Sequence, residues 1–167
     1  MAVFPIRIYG DPVLRTAADP VTEFDDALER LIADMLETMY DAPGVGLAAT
    51  QVDVHERIIV VDVSPDHDQP HILVNPQLTL HGDVEEHEEG CLSVPDIYET
   101  VKRVEKIHVS AVDPHGKPIE FDADGMLAVC IQHECDHLDG KLFVDYLSSL
   151  KRTRIRKKLE KQQRQRA

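Results

Sequence analysis

The stretch Asp124-Gly-Met-Leu-Ala-Val-Cys-Ile-Gln-His133-Glu134-Cys135-Asp136-His137-Leu138 reads as one helix, stopped by Gly140. Leu127, Val129, Cys130 and Ile131 make its first turns apolar, and its last turns carry His133-Glu134-Cys135-Asp136-His137, an HExxH motif. Residues i and i+4 share one face of a helix, so both imidazoles can reach a single metal ion. Glu134 between them is placed to handle protons on a metal-bound water. Nine histidines make chance matches easier, and it is the helical setting that gives this one weight.

Around this helix the sequence reads mainly as strands. Arg57–Val63, Ile72–Asn75, Leu78–His81, Lys106–Val112 and Pro118–Phe121 are the expected strands. Asn75-Pro76, His81-Gly82-Asp83 and Asp113-Pro-His-Gly116 are the expected turns between them. An earlier helix is expected over Thr22–Asp41, where Leu28, Leu31, Ile32, Met35, Leu36 and Met39 recur at helical spacing before Pro43 and Gly44. A last helix starts near Ser148 or Ser149. This order gives an α+β fold: mixed and antiparallel strands around a central metal-binding HExxH helix, with a C-terminal helix. The 167 residues fit a single catalytic domain, 1–167, with the basic helix at about 148–167.

Charge is divided along the chain. Lys151 to Ala167 holds nine Lys or Arg and one acid, a net +8, while residues 1–150 sum to −21. The acidic body repels polyanions such as DNA, and the basic tail seeks one or is merely a solvated helix. Its few apolar residues, Leu150, Ile155 and Leu159, suggest that much of it projects into water. The N-terminus lacks the pattern of a secretory signal, and no apolar run approaches a membrane span. Three cysteines cannot all pair, so reduced thiols and a cytoplasmic location are expected.

A hydrolytic metal takes three protein ligands and one water. Downstream of His137 stand only Asp139, Asp145 and Glu160 as ligand types, and position 143 is Phe where the metzincin pattern needs His. The third ligand therefore comes from elsewhere, and Cys91 in Glu88-Glu89-Gly90-Cys91-Leu92-Ser93 is a candidate, although lone cysteines are commonly inert core residues. Gly44-Val45-Gly46-Leu47-Ala48-Ala49-Thr50-Gln51 lets backbone approach a ligand closely. It has no phosphate-loop lysine, but could pair with an extended peptide, and Gln51 could donate to an oxyanion.

The set GVGLAATQ, EGCLS and QHECDH, in this order and at these intervals, closely resembles the three signature motifs of bacterial peptide deformylases of type 1. The likeness runs from Asp11-Pro-Val-Leu-Arg15 to the last helix. It implies a cytosolic hydrolase that removes the formyl group from N-terminal formyl-methionine of nascent peptides. It implies one divalent metal ion on Cys91, His133 and His137, with Fe2+ native and Zn2+, Ni2+ or Co2+ as substitutes. Glu134 is then the base, and Gln51 and the Leu92 N–H receive the formyl oxygen. Val45, Gly46 and Gly90 align the peptide, and Val45, Leu92, Met126, Val129 and Cys130 line the methionine pocket. The resemblance also suggests the ribosome as the partner of the basic C-terminal helix. Some members have an apolar residue at the position of His87 and an Arg at that of Tyr98, which bears on substrate preference. The rival readings are a zinc peptidase and a ribosome-binding protein with a structural metal, the latter needing a fourth protein ligand.

Overall fold

The computed structural model describes residues 2–166, with the side chain of Arg166 outside that description. Its elements are α1 (Asp26–Asp41), β1 (Gly46–Ala48), β2 (Ile58–Val61), β3 (His71–Cys91), β4 (Val94–Val112), β5 (Pro118–Asp124), α2 (Gly125–Leu138) and α3 (Ser149–Arg166). The strands form one sheet in the order β1-β2-β3-β4-β5, every ladder antiparallel, and an isolated parallel bridge joins Asp19 to Glu56. The α+β fold with a C-terminal helix is therefore as expected.

All four residues of β2 are fully buried because the strand is covered on both faces. Ile58 and Val60 pack with Leu28, Ile32, Met35 and Met39 of α1. Ile59 and Val61 face the other way, onto Ala128, Ile131 and Leu138 of α2. The period-2 alternation of a strand thus sandwiches β2 between α1 and α2 and fixes where the HExxH helix lies. Gln132 fastens α2 to β4: its Nε2 donates to the Val104 carbonyl (2.8 Å) and its Oε1 accepts from the Val104 N–H (3.3 Å).

Two expected turns are not turns. Asn75-Pro76 and Gly82-Asp83 lie inside β3, at register shifts between Val74 and Gln77 and between His81 and Val84. Asn75 (φ 52°) and Gly82 (φ 78°) have the positive φ that suits turns, but bulges use the same conformation to bend a continuous strand. Consequently Ile72–Asn75 and Leu78–His81 are parts of one 21-residue strand, and β4 begins at Val94, twelve residues before the expected Lys106. Asp113–Gly116 does turn the chain from β4 to β5. Helix α1 starts at Asp26, not Thr22, since Asp25 caps it by accepting the Leu28 N–H at 3.0 Å.

Helix α3 begins as expected, and Ala167 lies outside the described residues. Most of its surface is exposed, yet Ile155 and Leu159 are 5% and 3% exposed. They enter a cluster with Val94, Ile97, Val101, Leu142, Phe143 and Val144, against which Cys91 also packs. Two of the three apolar residues of the tail are thus core, each worth about 1.5–3 kcal/mol if fully buried, whereas Leu150 is exposed.

Candidate metal centre

Two elements distant in sequence, β3 and α2, converge on one point. β3 ends at Cys91, the two-residue turn Leu92-Ser93 leads into β4, and α2 brings His133 and His137 alongside. Cys91 Sγ lies 3.3 Å from His137 Nε2, the two Nε2 atoms are 3.3 Å apart, and all three donors fall within 4.8 Å of one another. A tetrahedral ion with metal–nitrogen bonds of about 2.05 Å and a metal–sulfur bond of about 2.3 Å requires donor separations of roughly 3.3–3.6 Å. The residues fit a metal ion. Among the described residues no fourth His, Cys, Asp or Glu joins this group. That leaves room for water, as a catalytic rather than a closed structural site does.

His133 is oriented from behind. Its Nδ1 bonds Glu89 Oε1 at 2.8 Å, which turns Nε2 toward the other donors. Glu89 in turn accepts from Arg103 Nε (2.8 Å) and Nη2 (3.0 Å), and Arg103 Nη1 donates to Asp136 Oδ2 at 2.6 Å. The Tyr146 hydroxyl donates to the same Asp136 oxygen at 2.8 Å. Motif reading did not find Arg103 or Tyr146, and it gave Glu89 and Asp136 no role. Glu89 and Asp136 at least stand inside the motifs; Arg103 carries no local signal and is identified only by where β4 places it.

Burial opposes the charge on Glu89, but bonds from His133 and Arg103 outweigh it and hold its pKa at about 2, below the ordinary 4.5. The folded pKa is depressed, so the contribution to stability is complete above about pH 4.5 and is lost as pH falls toward 2. Metal-free protein should accordingly lose denaturant resistance over that interval, whereas Glu89→Gln should start weaker and show a flatter decline. Parallel pH profiles for the two proteins would refute this assignment.

Burial pushes Glu134 up to about 7, with His133 opposing the rise. Among the described residues its Oε1 has no hydrogen-bond partner, and it lies 3.9 Å from His137 Nε2. Burial alone would lower His133, yet Glu134, Cys91 and Glu89 raise it, while burial and His133 hold His137 low. A divalent cation held by the three donors would favour the charged form of Glu134.

A cavity of about 790 Å3 opens onto these groups. Val45, Gly46, Gln51, His87, Gly90, Cys91, Leu92, Tyr98, Met126, Val129, Cys130, His133 and Glu134 all line it, so of the expected site residues only His137 does not. His137 is buried, and Thr50 Oγ1 donates to its carbonyl at 3.1 Å. Among the described residues no strand other than β2 pairs with β1, so its other edge, where the Ala48 N–H is taken by Gln51 Oε1, leaves the backbone of Gly46 open to an extended peptide. A Cβ at Gly46 would strike the buried Glu134 carboxylate, which requires glycine there, and one at Gly90 would lie 2.6 Å from the ring of Tyr98, an exposed side chain that would have to swing aside.

The sequence model of the polypeptide deformylase family matches residues 3–153. The chain belongs to this family. It is a peptide deformylase, a metal-dependent hydrolase. It is 60% identical to the peptide deformylase of Pseudomonas aeruginosa and 59% identical to that of Hahella chejuensis, each alignment covering all of both chains. Its structure is similar to the crystal structure of a Legionella pneumophila deformylase, with TM-score 0.94 and 50% identity over 99% of this chain and 98% of the other. A Synechococcus elongatus deformylase in complex with actinonin also matches, with TM-score 0.87 and 44% identity over 95% and 87% of the two chains. Neither the peptidase nor the structural-metal reading is favoured by these likenesses. No helix of the described residues in this deformylase is long and apolar enough to cross a membrane.

Proposed function

We propose that this deformylase hydrolyses the formamide of N-terminal formyl-methionine on new proteins, releasing formate, with Cys91, His133 and His137 holding one divalent ion. The observation that carries the reading is the meeting of three such donors beside the buried Glu134 carboxylate, on a cavity bordered by Val45 and Gly46 at the outer edge of β1. When bound, the ion supplies Lewis acidity and a water of near-neutral pKa.

Glu134 accepts a proton from the attacking water and later delivers it to the leaving amine. Gln51 Nε2 and the Leu92 N–H donate to the formyl oxygen as its negative charge builds. Val45, Gly46 and Gly90 align the peptide backbone, and Val45, Leu92, Met126, Val129 and Cys130 receive the methionine side chain. His87 and Tyr98 border the residues that follow it. Ferrous iron is the proposed native ion, with zinc, nickel or cobalt able to occupy the same Cys/His/His set, and the cytoplasm is the proposed compartment. The test is formate release by protein purified without oxygen and assayed for metal. Formyl-methionyl peptides should be hydrolysed, and unformylated ones left intact; cleavage of unformylated peptides instead would overturn the reading.

The ribosome is the proposed partner of α3. Arg154, Arg156, Lys157, Lys158 and Lys161 are exposed, whereas Ile155 and Leu159 are anchored in the core. Truncation after Arg152 would remove those anchors along with the charge, so charge alone must be changed. Replacing these five bases by Gln should leave hydrolysis of a short peptide within about twofold and abolish co-sedimentation with ribosomes. In the parent that binding should weaken steeply with salt. Salt-independent binding, or equal binding by the substituted protein, would exclude α3 as the docking element.

A further inference from the structure

The oxyanion role proposed above asks Gln51 to present an N–H, not its carbonyl, and to keep presenting it. Gln51 is 1% exposed and lies in the short helical turn Ala49–Val52. Its Oε1 accepts the Ala48 N–H at 2.9 Å. Because a backbone N–H can only donate, this bond sets the direction of the amide and sends both N–H groups of Nε2 the other way. One donates to Ser93 Oγ at 3.0 Å, and Nε2 also donates to Cys91 Sγ at 3.6 Å, which points the remaining N–H at the metal centre. Ser93 is fully buried, so its hydroxyl is not a casual solvent contact.

The backbones of the two residues are tied down together. The N–H of Arg7 donates to the Gln51 carbonyl at 2.8 Å, and that of Tyr9 donates to the Ser93 carbonyl at 2.7 Å. The N-terminal segment thereby fixes the turn that carries Gln51 against the Leu92-Ser93 turn, which carries the second N–H donor.

We propose that Ser93 is a positioning residue: its hydroxyl holds one N–H of Gln51 so that the other is aimed at the oxygen of the formyl group. Ser93 is neither among the residues that line the cavity nor in the three-donor group, and it acts only through Gln51. Without it the amide keeps its tether at Oε1 but can pivot, and a donor displaced by a fraction of an ångström stabilises developing charge less well.

The test is a double-mutant cycle in zinc-loaded protein with a formyl-methionyl-alanine peptide. Gln51→Ala should lower kcat by on the order of a hundredfold. Ser93→Ala should lower kcat by about tenfold, leave KM within about twofold and retain one metal ion per chain. In the Gln51→Ala background, Ser93→Ala should cost nothing further, because its only route to the reaction has been removed. As a readout independent of turnover, the Gln51 side-chain amide protons should be exchange-protected in the parent by NMR and lose that protection in Ser93→Ala.

A folded, metal-loaded Ser93→Ala protein with parental kcat overturns the proposal, and so do independent, multiplying losses in the cycle. If Ser93→Ala does not fold, Ser93→Cys carries the same cycle, since its thiol fills the space but is a weak acceptor. Full kcat in Gln51→Ala would instead show that the oxyanion assignment to Gln51 fails, an outcome distinct from failure at Ser93 alone.

Discussion

Glu134→Gln protein is expected to keep one metal ion per chain and to release formate at least about a hundredfold more slowly than the parent. The substitution preserves the side chain's shape in a place where shape matters: Glu134 is 4% exposed and pressed against Gly46. It leaves Cys91, His133 and His137 untouched, but an amide cannot take a proton from water. The effect should therefore fall on kcat, with little change in KM, since the loss is of an interaction made as bonds break. Metal content by elemental analysis and turnover on one preparation decide the matter. Near-parental formate release from metal-loaded Glu134→Gln would remove Glu134 from the role of base.

Loss of the thiolate should be larger still in its effect on the ion. Disturbing a residue that only orients a ligand typically weakens metal binding by about 10–100-fold, so replacing a ligand atom should exceed about a hundredfold. Cys91→Ser swaps the sulfur 3.3 Å from His137 Nε2 for a hydroxyl that does not ionise near neutrality. Cys130 and Cys135 provide the controls. Burial pushes both thiols up to about 12, which makes them poor thiolates, and neither belongs to the three-donor group. Chelator competition should strip the ion readily from Cys91→Ser but not from Cys130→Ser or Cys135→Ser. Equal retention by all three would show that the third ligand is another residue. The parent in its ferrous form should also lose activity in air through oxidation at this sulfur and its iron, and Cys130→Ser and Cys135→Ser should be no slower to do so.

The sequence by itself determined the elements whose physics is local. An i, i+4 pair of histidines on a helix must share a face, and an apolar run such as Ile58–Val61 within Arg57–Val63 reads as a strand wherever it lies. The three motifs were legible because each combines rare residue types at fixed short spacing, and together they placed every donor that meets at the metal centre. The long hairpin of β3 and β4 was not legible. Residues 84–88 are largely exposed on both faces and rich in Glu, so they lack apolar alternation, and in β4 the inward position after Val101 is the charged Arg103.

Only the tertiary structure decided what stands behind the site. Arg103 reaches Glu89 and Asp136 because β4 runs beside β3 and beneath α2, and a buried guanidinium is tolerable only where carboxylates meet it. The bond from Gln51 to Ser93 joins residues 42 positions apart, and Ile155 and Leu159 become core only because α3 folds back on the cluster that supports Cys91. Spacing within a helix or strand is set by bond geometry and can be read along the chain. Contacts between distant segments depend on how whole layers pack, and no local pattern encodes them.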